Sequence, residues 1–242
     1  MNGEGNPVKR ILVSLAALLV LTIPSVASAD VITFTAPVTA ASVGSGGPGQ
    51  VDLDHHSAYT WRIDGFNVAG KTITGAKLTF KSISNWDTNA NKLFVHLLDS
   101  AKNAGISSFT DATGDPVPSS QIQDNFAGSL YNSNPLVNAG TANTKLFEQS
   151  FGFTNGRTFS QVPDFVYNFT AAQLQTLSAY FLNQSNIAFG FDPDCHYFNN
   201  GITFEITYTP NAPVPEPATM VLLGTGLAGL YARRRRNQRA NS

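Results

Sequence analysis

A single cysteine, Cys195, stands in the 242 residues of this chain, which leaves no partner for an intramolecular disulfide. Stability must come from core packing or bound ions. Charge is scarce as well: 13% of the residues are Asp, Glu, Lys or Arg, and the net charge of −1 conceals an uneven distribution. Lys9 and Arg10 precede the first apolar run, and Arg233, Arg234, Arg235, Arg236 and Arg239 follow the last one. Between Asp30 and Asn211 eight basic residues are set against fourteen acidic ones, so that stretch is net acidic. Phosphate binding needs a clustered basic face, and a nucleic-acid partner is therefore excluded as an expectation. Catalytic signatures are also scarce: neither a G-x-S-x-G elbow nor an H-E-x-x-H helix occurs, and a functioning P-loop is not expected. Paired glycosidase carboxylates would have to be assembled from distant strands. The body is expected to be non-catalytic.

What is present begins with an export signal. Lys9 and Arg10 form a basic n-region, residues 11–23 are nearly continuously apolar, Pro24 can end the helix, and Ala27-Ser28-Ala29 supplies an A-x-A cleavage site. The expected cleavage residues are Ala27 and Ala29, which makes 1–29 a signal helix handled by the Sec machinery. The apolar run is shorter than the roughly 20 residues of a membrane span.

Near the other end, the stretch "GTGLAG" at 224–229 matches the G-x-G-x-x-G pattern of dinucleotide-binding loops. That pattern carries chemistry only between a strand and a helix with an acidic residue about 20 positions further on. No acidic residue follows Glu216 in the sequence. The surroundings point elsewhere. "ATMVLLGTGLAGLYA" at 218–232 is uncharged and spans about 22 Å as a helix, and Tyr231 and the arginines can extend it toward headgroups. The arginine cluster orients such a segment with 30–211 outside the inner membrane. Upstream, prolines at 210, 213, 215 and 217 block regular hydrogen bonding and make an accessible tether.

Val214, Pro215, Glu216 and Pro217, a short apolar helix and a terminal arginine cluster together resemble the PEP-CTERM sorting domain of exported bacterial proteins. The resemblance covers roughly the last 25 residues. It implies recognition of Pro215, Glu216 and Pro217 by exosortase, transient anchoring in the inner membrane, and a Gram-negative host that makes extracellular polysaccharide. The expected location is the cell surface or the extracellular space.

The expected division is 1–29 signal peptide, 30–209 body, 210–217 proline-rich tether, and 218–242 transmembrane helix with an Arg-rich cytoplasmic tail. The body reads as all-β, a jelly-roll-like β-sandwich with one short helix. Strands are predicted at 31–35, 59–63, 76–83, 93–98, 165–169, 187–191 and 202–208, short runs rich in β-branched and aromatic residues. In "ITFEITY" apolar and polar residues alternate, as in a strand with one buried face. Thr170-Ala171-Ala172-Gln173 has capping-box spacing and starts the predicted helix. Asn199-Asn200-Gly201 predicts a tight hairpin. The polar region 109–144 has no readable path.

Two groups are candidates for calcium. Asp192 and Asp194 flank a proline and precede His196, and Asp87, Asn89 and Asn91 have the opening spacing of a calcium loop. Lys92 and Leu98 stand where an EF-hand needs glycine and glutamate, so the second is not an EF-hand. The competing reading, favoured for both groups, is that these side chains cap turns. "DLDHH", with Asp52, Asp54, His55 and His56, has transition-metal ligands, but adjacent histidines in a strand point to opposite faces, so a polar loop is expected there. Cys195 is expected to be a buried structural thiol. Trp61 and Trp86 can stack on sugar rings if exposed, or fill the core. The expected function is a structural or adhesive surface or matrix protein. A carbohydrate-binding module, with calcium, for extracellular polysaccharide and a secreted hydrolase stand as alternatives.

Overall fold

The computed structural model describes residues 28–37, 51–89, 91–110, 123–153, 162–211 and 218–240. Most of the signal segment, including Ala27, and the four residues 214–217 lie outside these. The chain divides after Pro210, with Ser28–Pro210 as the body.

The body is all-β, in three antiparallel sheets. The first has four strands in the order β1 (Asp30–Thr35), β12 (Ile202–Pro210), β4 (Lys71–Phe80) and β9 (Phe165–Asn168). The second has five: β7 (Gly105–Thr110), β3 (Ser57–Asp64), β10 (Asn186–Pro193), β6 (Leu93–Leu98) and β8 (Asn143–Gln149). The third is small, with β2 (Val51–Leu53), β11 (Tyr197–Asn199) and β5 (Ser84–Asn85). All seven predicted strands form, with ends shifted by a few residues.

Alternation explains how the two larger sheets meet. Ile202, Phe204 and Ile206 of β12 are buried, while Thr203, Glu205 and Thr207, each one residue further on, are half-buried. Phe189 of β10 faces this layer, its ring centroid 4.9 Å from that of Phe204 and 5.8 to 6.5 Å from those of Trp61, Phe169 and Phe191. Such tilted aromatic contacts add to the roughly 1.5–3 kcal/mol that burying each side chain contributes.

The other face of the five-stranded sheet is also covered. Ala188, Gly190 and Asp192 of β10 point away from the shared core, yet all are buried. The cover is 123–142, the second half of the region whose path the sequence does not reveal. Phe126, Tyr131 and Val137 pack there against Ala58, Leu98, Ala101 and Ala188. A Cβ built on Gly190 would lie 2.7 to 2.8 Å from three ring atoms of Phe126, so this glycine is where the cover touches the sheet. The cover also holds a six-residue helix, α1 (Gly128–Ser133), in addition to the one expected.

That expected helix is α2 (Ala171–Gln184). Its Thr170 side chain accepts from Gln173 N–H, and the Gln173 side chain accepts from Thr170 N–H, a complete capping box. Leu177, Tyr180 and Phe181 are buried, and the helix packs against β4 and β10, strands of both large sheets. The predicted hairpin at Asn199-Asn200-Gly201 is a turn of another kind. The strands it joins, β11 and β12, belong to different sheets and do not pair. Gly201, at φ +111°, and the bond from Asn200 N–H to Lys81 C=O redirect the chain between them.

By itself, the C-terminal segment is a 23-residue helix, α3 (Ala218–Ala240), continuing through the arginines. Its uncharged part ends at Ala232, and among the described residues no helix is long and apolar enough to cross a membrane.

Candidate functional site

The "DLDHH" stretch leaves β2 and turns into β3. Ser57 N–H donates to Asp54 C=O at 3.0 Å, which closes a turn with His55 and His56 in its middle. The histidines sit in a turn rather than a strand, so they are not held on opposite faces. Their ring centroids are 3.8 Å apart. Asp54 Oδ1 accepts from His56 N–H at 2.9 Å, and the Tyr59 hydroxyl accepts from Asp54 N–H at 3.0 Å. Burial pushes that hydroxyl up to about 12.

His196 arrives from the other end of the chain. Pairing of β2 with β11 sets Asp52 opposite Phe198, and His196 Nδ1 then lies 2.8 Å from Asp52 Oδ2. A carboxylate accepts, so Nδ1 is the donor in this pair and Nε2 is the ring nitrogen left for another partner. The His196 ring is 4.6 Å from that of His55. Ligand atoms of Asp54, His55 and His196 all lie within 4.8 Å of one another. Asp52 is 2% exposed, and its Oδ1 has no hydrogen-bond partner among the described residues. Burial raises its carboxyl above the ordinary range, with His196 pulling it back and Asp54 pushing it further up. For Asp54 burial also pulls upward, but the hydrogen bonds of His56, with His196 and His55 nearby, hold the carboxyl below that range.

Beside this group is an aromatic surface. Trp86, 53% exposed, donates its backbone N–H to His196 C=O at 3.1 Å, and its ring lies 5.7 Å from the imidazole. The Phe198 ring is stacked with that of His196 at 6.1 Å and 12°. Trp61 has the opposite environment: 3% exposed, it fills the core. It is not available to a ligand.

The calcium candidates are arranged as turns. Asp87 accepts from Asn89 N–H at 2.9 Å, from Asn89 Nδ2 at 2.6 Å and from Asn91 Nδ2 at 2.7 Å. Amide donors thus occupy the carboxylate. Asp192 and Asp194 serve different segments: Asp192 accepts from Asn125 N–H at 2.5 Å, and Asp194 accepts from Lys92 N–H. Burial pushes Asp194 up to about 6, against the effect of that hydrogen bond. Cys195 is buried, as expected. On the surface, hydrogen bonds from Lys145 and Lys92 hold Glu148 down to about 2.

A second nucleotide-loop pattern lies within the body. "GFNVAGKT", from Gly65 to Thr72, matches the G-x-x-x-x-G-K-[ST] pattern of a P-loop. A phosphate loop needs a helix after the lysine, whereas Lys71 and Thr72 open β4. Lys71 Nζ is turned back onto Asn67 C=O at 2.7 Å and onto the rings of Phe66 and Tyr208. The pattern here is a strand-to-strand connection with glycines at positive φ.

Family comparison speaks to the C-terminus. Residues 213–236 match the PEP-CTERM protein-sorting motif. The chain carries this motif, which marks an exported protein that exosortase processes and sorts to the surface or the extracellular space. No curated protein matches the chain, and no solved structure does.

Proposed function

We propose that this protein is a non-catalytic, adhesive component of the cell surface or extracellular matrix, and that its body binds the extracellular polysaccharide of its host. The observation that supports this reading is Trp86: a large aromatic residue, 53% exposed, beside His196 and Phe198. Aromatic faces of this kind pack against the C–H face of a sugar ring, and neighbouring polar groups such as Asp54 and His56 can accept from or donate to its hydroxyls. Sorting through the PEP-CTERM motif brings the body to where such polymers are.

Affinity electrophoresis of the full chain through a gel containing the host's polysaccharide tests the reading. The wild-type chain is retarded, and Trp86→Ala, which removes an exposed ring without opening the core, migrates as it does in a gel without polymer. Equal retardation of both, or no retardation of the wild type, overturns the assignment. Calcium is a proposed accessory at most, through Asp87, Asn89, Asn91, Asp192 and Asp194, and retardation unchanged by a chelator removes it.

A further inference from the structure

We propose that Asp54, His55 and His196 bind one divalent transition-metal ion of the zinc, cobalt or copper class. The donor set selects the class. Two imidazoles and a carboxylate suit these ions, whereas calcium and magnesium take oxygen ligands. The three donors lie within 4.8 Å of one another, so modest side-chain rotations bring them around a common point about 2.0–2.2 Å from each.

Asp52 is the second and independent observation. Its side chain is buried, and one oxygen receives His196 Nδ1–H while the other has no hydrogen-bond partner among the described residues. A carboxylate behind a histidine fixes the tautomer and aims the far nitrogen outward, the arrangement found behind metal-bound imidazoles.

The fold builds the site from both ends of the body. Asp52 and His196 are 144 residues apart and meet because β2 and β11 pair. The Asp54 turn is held by Tyr59 from within β3. Three protein donors leave at least one coordination position to water or to a ligand, and Asp54 and His196 are open enough to solvent for an ion to enter. This inference does not depend on sugar binding.

The test uses the full chain, purified without a polyhistidine tag, stripped with a chelator and titrated calorimetrically with zinc. One zinc per chain is expected, with visible d–d bands when cobalt is used instead. His196→Ala and His55→Ala should each weaken zinc binding by more than about 100-fold, and Asp52→Asn, which changes only the support, by about 10–100-fold. Circular dichroism of the metal-free variants checks folding, and His196→Gln replaces any variant that does not fold. A folded wild-type chain that takes up no stoichiometric zinc overturns the proposal. Undiminished uptake in His196→Gln does so equally.

Discussion

Replacing Gly190 with alanine should destabilise the body, and removing the Phe126 ring should abolish that effect. The added Cβ would meet three carbon atoms of the Phe126 ring at 2.7 to 2.8 Å, about 0.7 Å inside ordinary contact. The ring cannot swing into solvent, because Phe126 is fully buried among Ala58, Leu98, Tyr131 and Val137. Overpacking of this kind costs about 1–3 kcal/mol, and alanine recovers about 0.5–1 kcal/mol over glycine within a strand. The net loss is then about 0–2.5 kcal/mol, centred on about 1 kcal/mol. Phe126→Ala alone should cost about 3–5 kcal/mol, as a ring deleted from a core does. In the double variant the new methyl enters vacated space, so Gly190→Ala becomes neutral or favourable there and the coupling reaches about 1–3 kcal/mol. Urea denaturation of the four chains measures this cycle. Additivity within about 0.5 kcal/mol, or a stabilising Gly190→Ala in the wild-type background, would refute the packing of 123–142 on this sheet.

Asp194 sets a pH dependence. Its folded pKa of about 6 lies above the 3.8 of an unperturbed aspartate, so the wild-type chain should lose stability as pH rises from about 4 to about 6. Asp194→Asn keeps an oxygen for Lys92 N–H, should lack this slope, and should be more stable than wild type at pH 7 by at most about 3 kcal/mol, read from melts across that range. Thr170→Ala breaks the capping box of α2 and should cost about 1 kcal/mol in the same assay, with Thr170→Ser close to wild type.

The strands legible in the sequence are those with one wet face or a dense apolar run. β12 shows the first pattern, and β6, "LFVHLL", with all six residues buried, shows the second. β2, β5 and β11 are two or three residues long, too short for alternation to register. β7 and β8 are edge strands rich in polar residues, and their only signal was a few scattered apolar side chains. The cover at 123–142 stayed hidden for a different reason: Phe126, Tyr131 and Val137 follow neither period and are anchored by side-chain hydrogen bonds such as Asn143 Nδ2–H to Phe126 C=O. The histidine cluster was half visible. "DLDHH" displays the ligand types, but a turn does not follow the two-residue period of a strand, and His196 joins only through a strand pairing that no local pattern encodes. Conversely, "GFNVAGKT" shows a motif without its structural context, since a strand stands where the helix is required.

The central claim is that this β-rich body is an exported passenger delivered by its C-terminal motif. Intact-mass measurement of the mature protein, recovered from a host that possesses exosortase, tests it most directly. The account predicts that the wild-type protein lacks both the signal segment and the residues of α3, while Glu216→Ala retains α3. Identical C-terminal masses for the two proteins would contradict it.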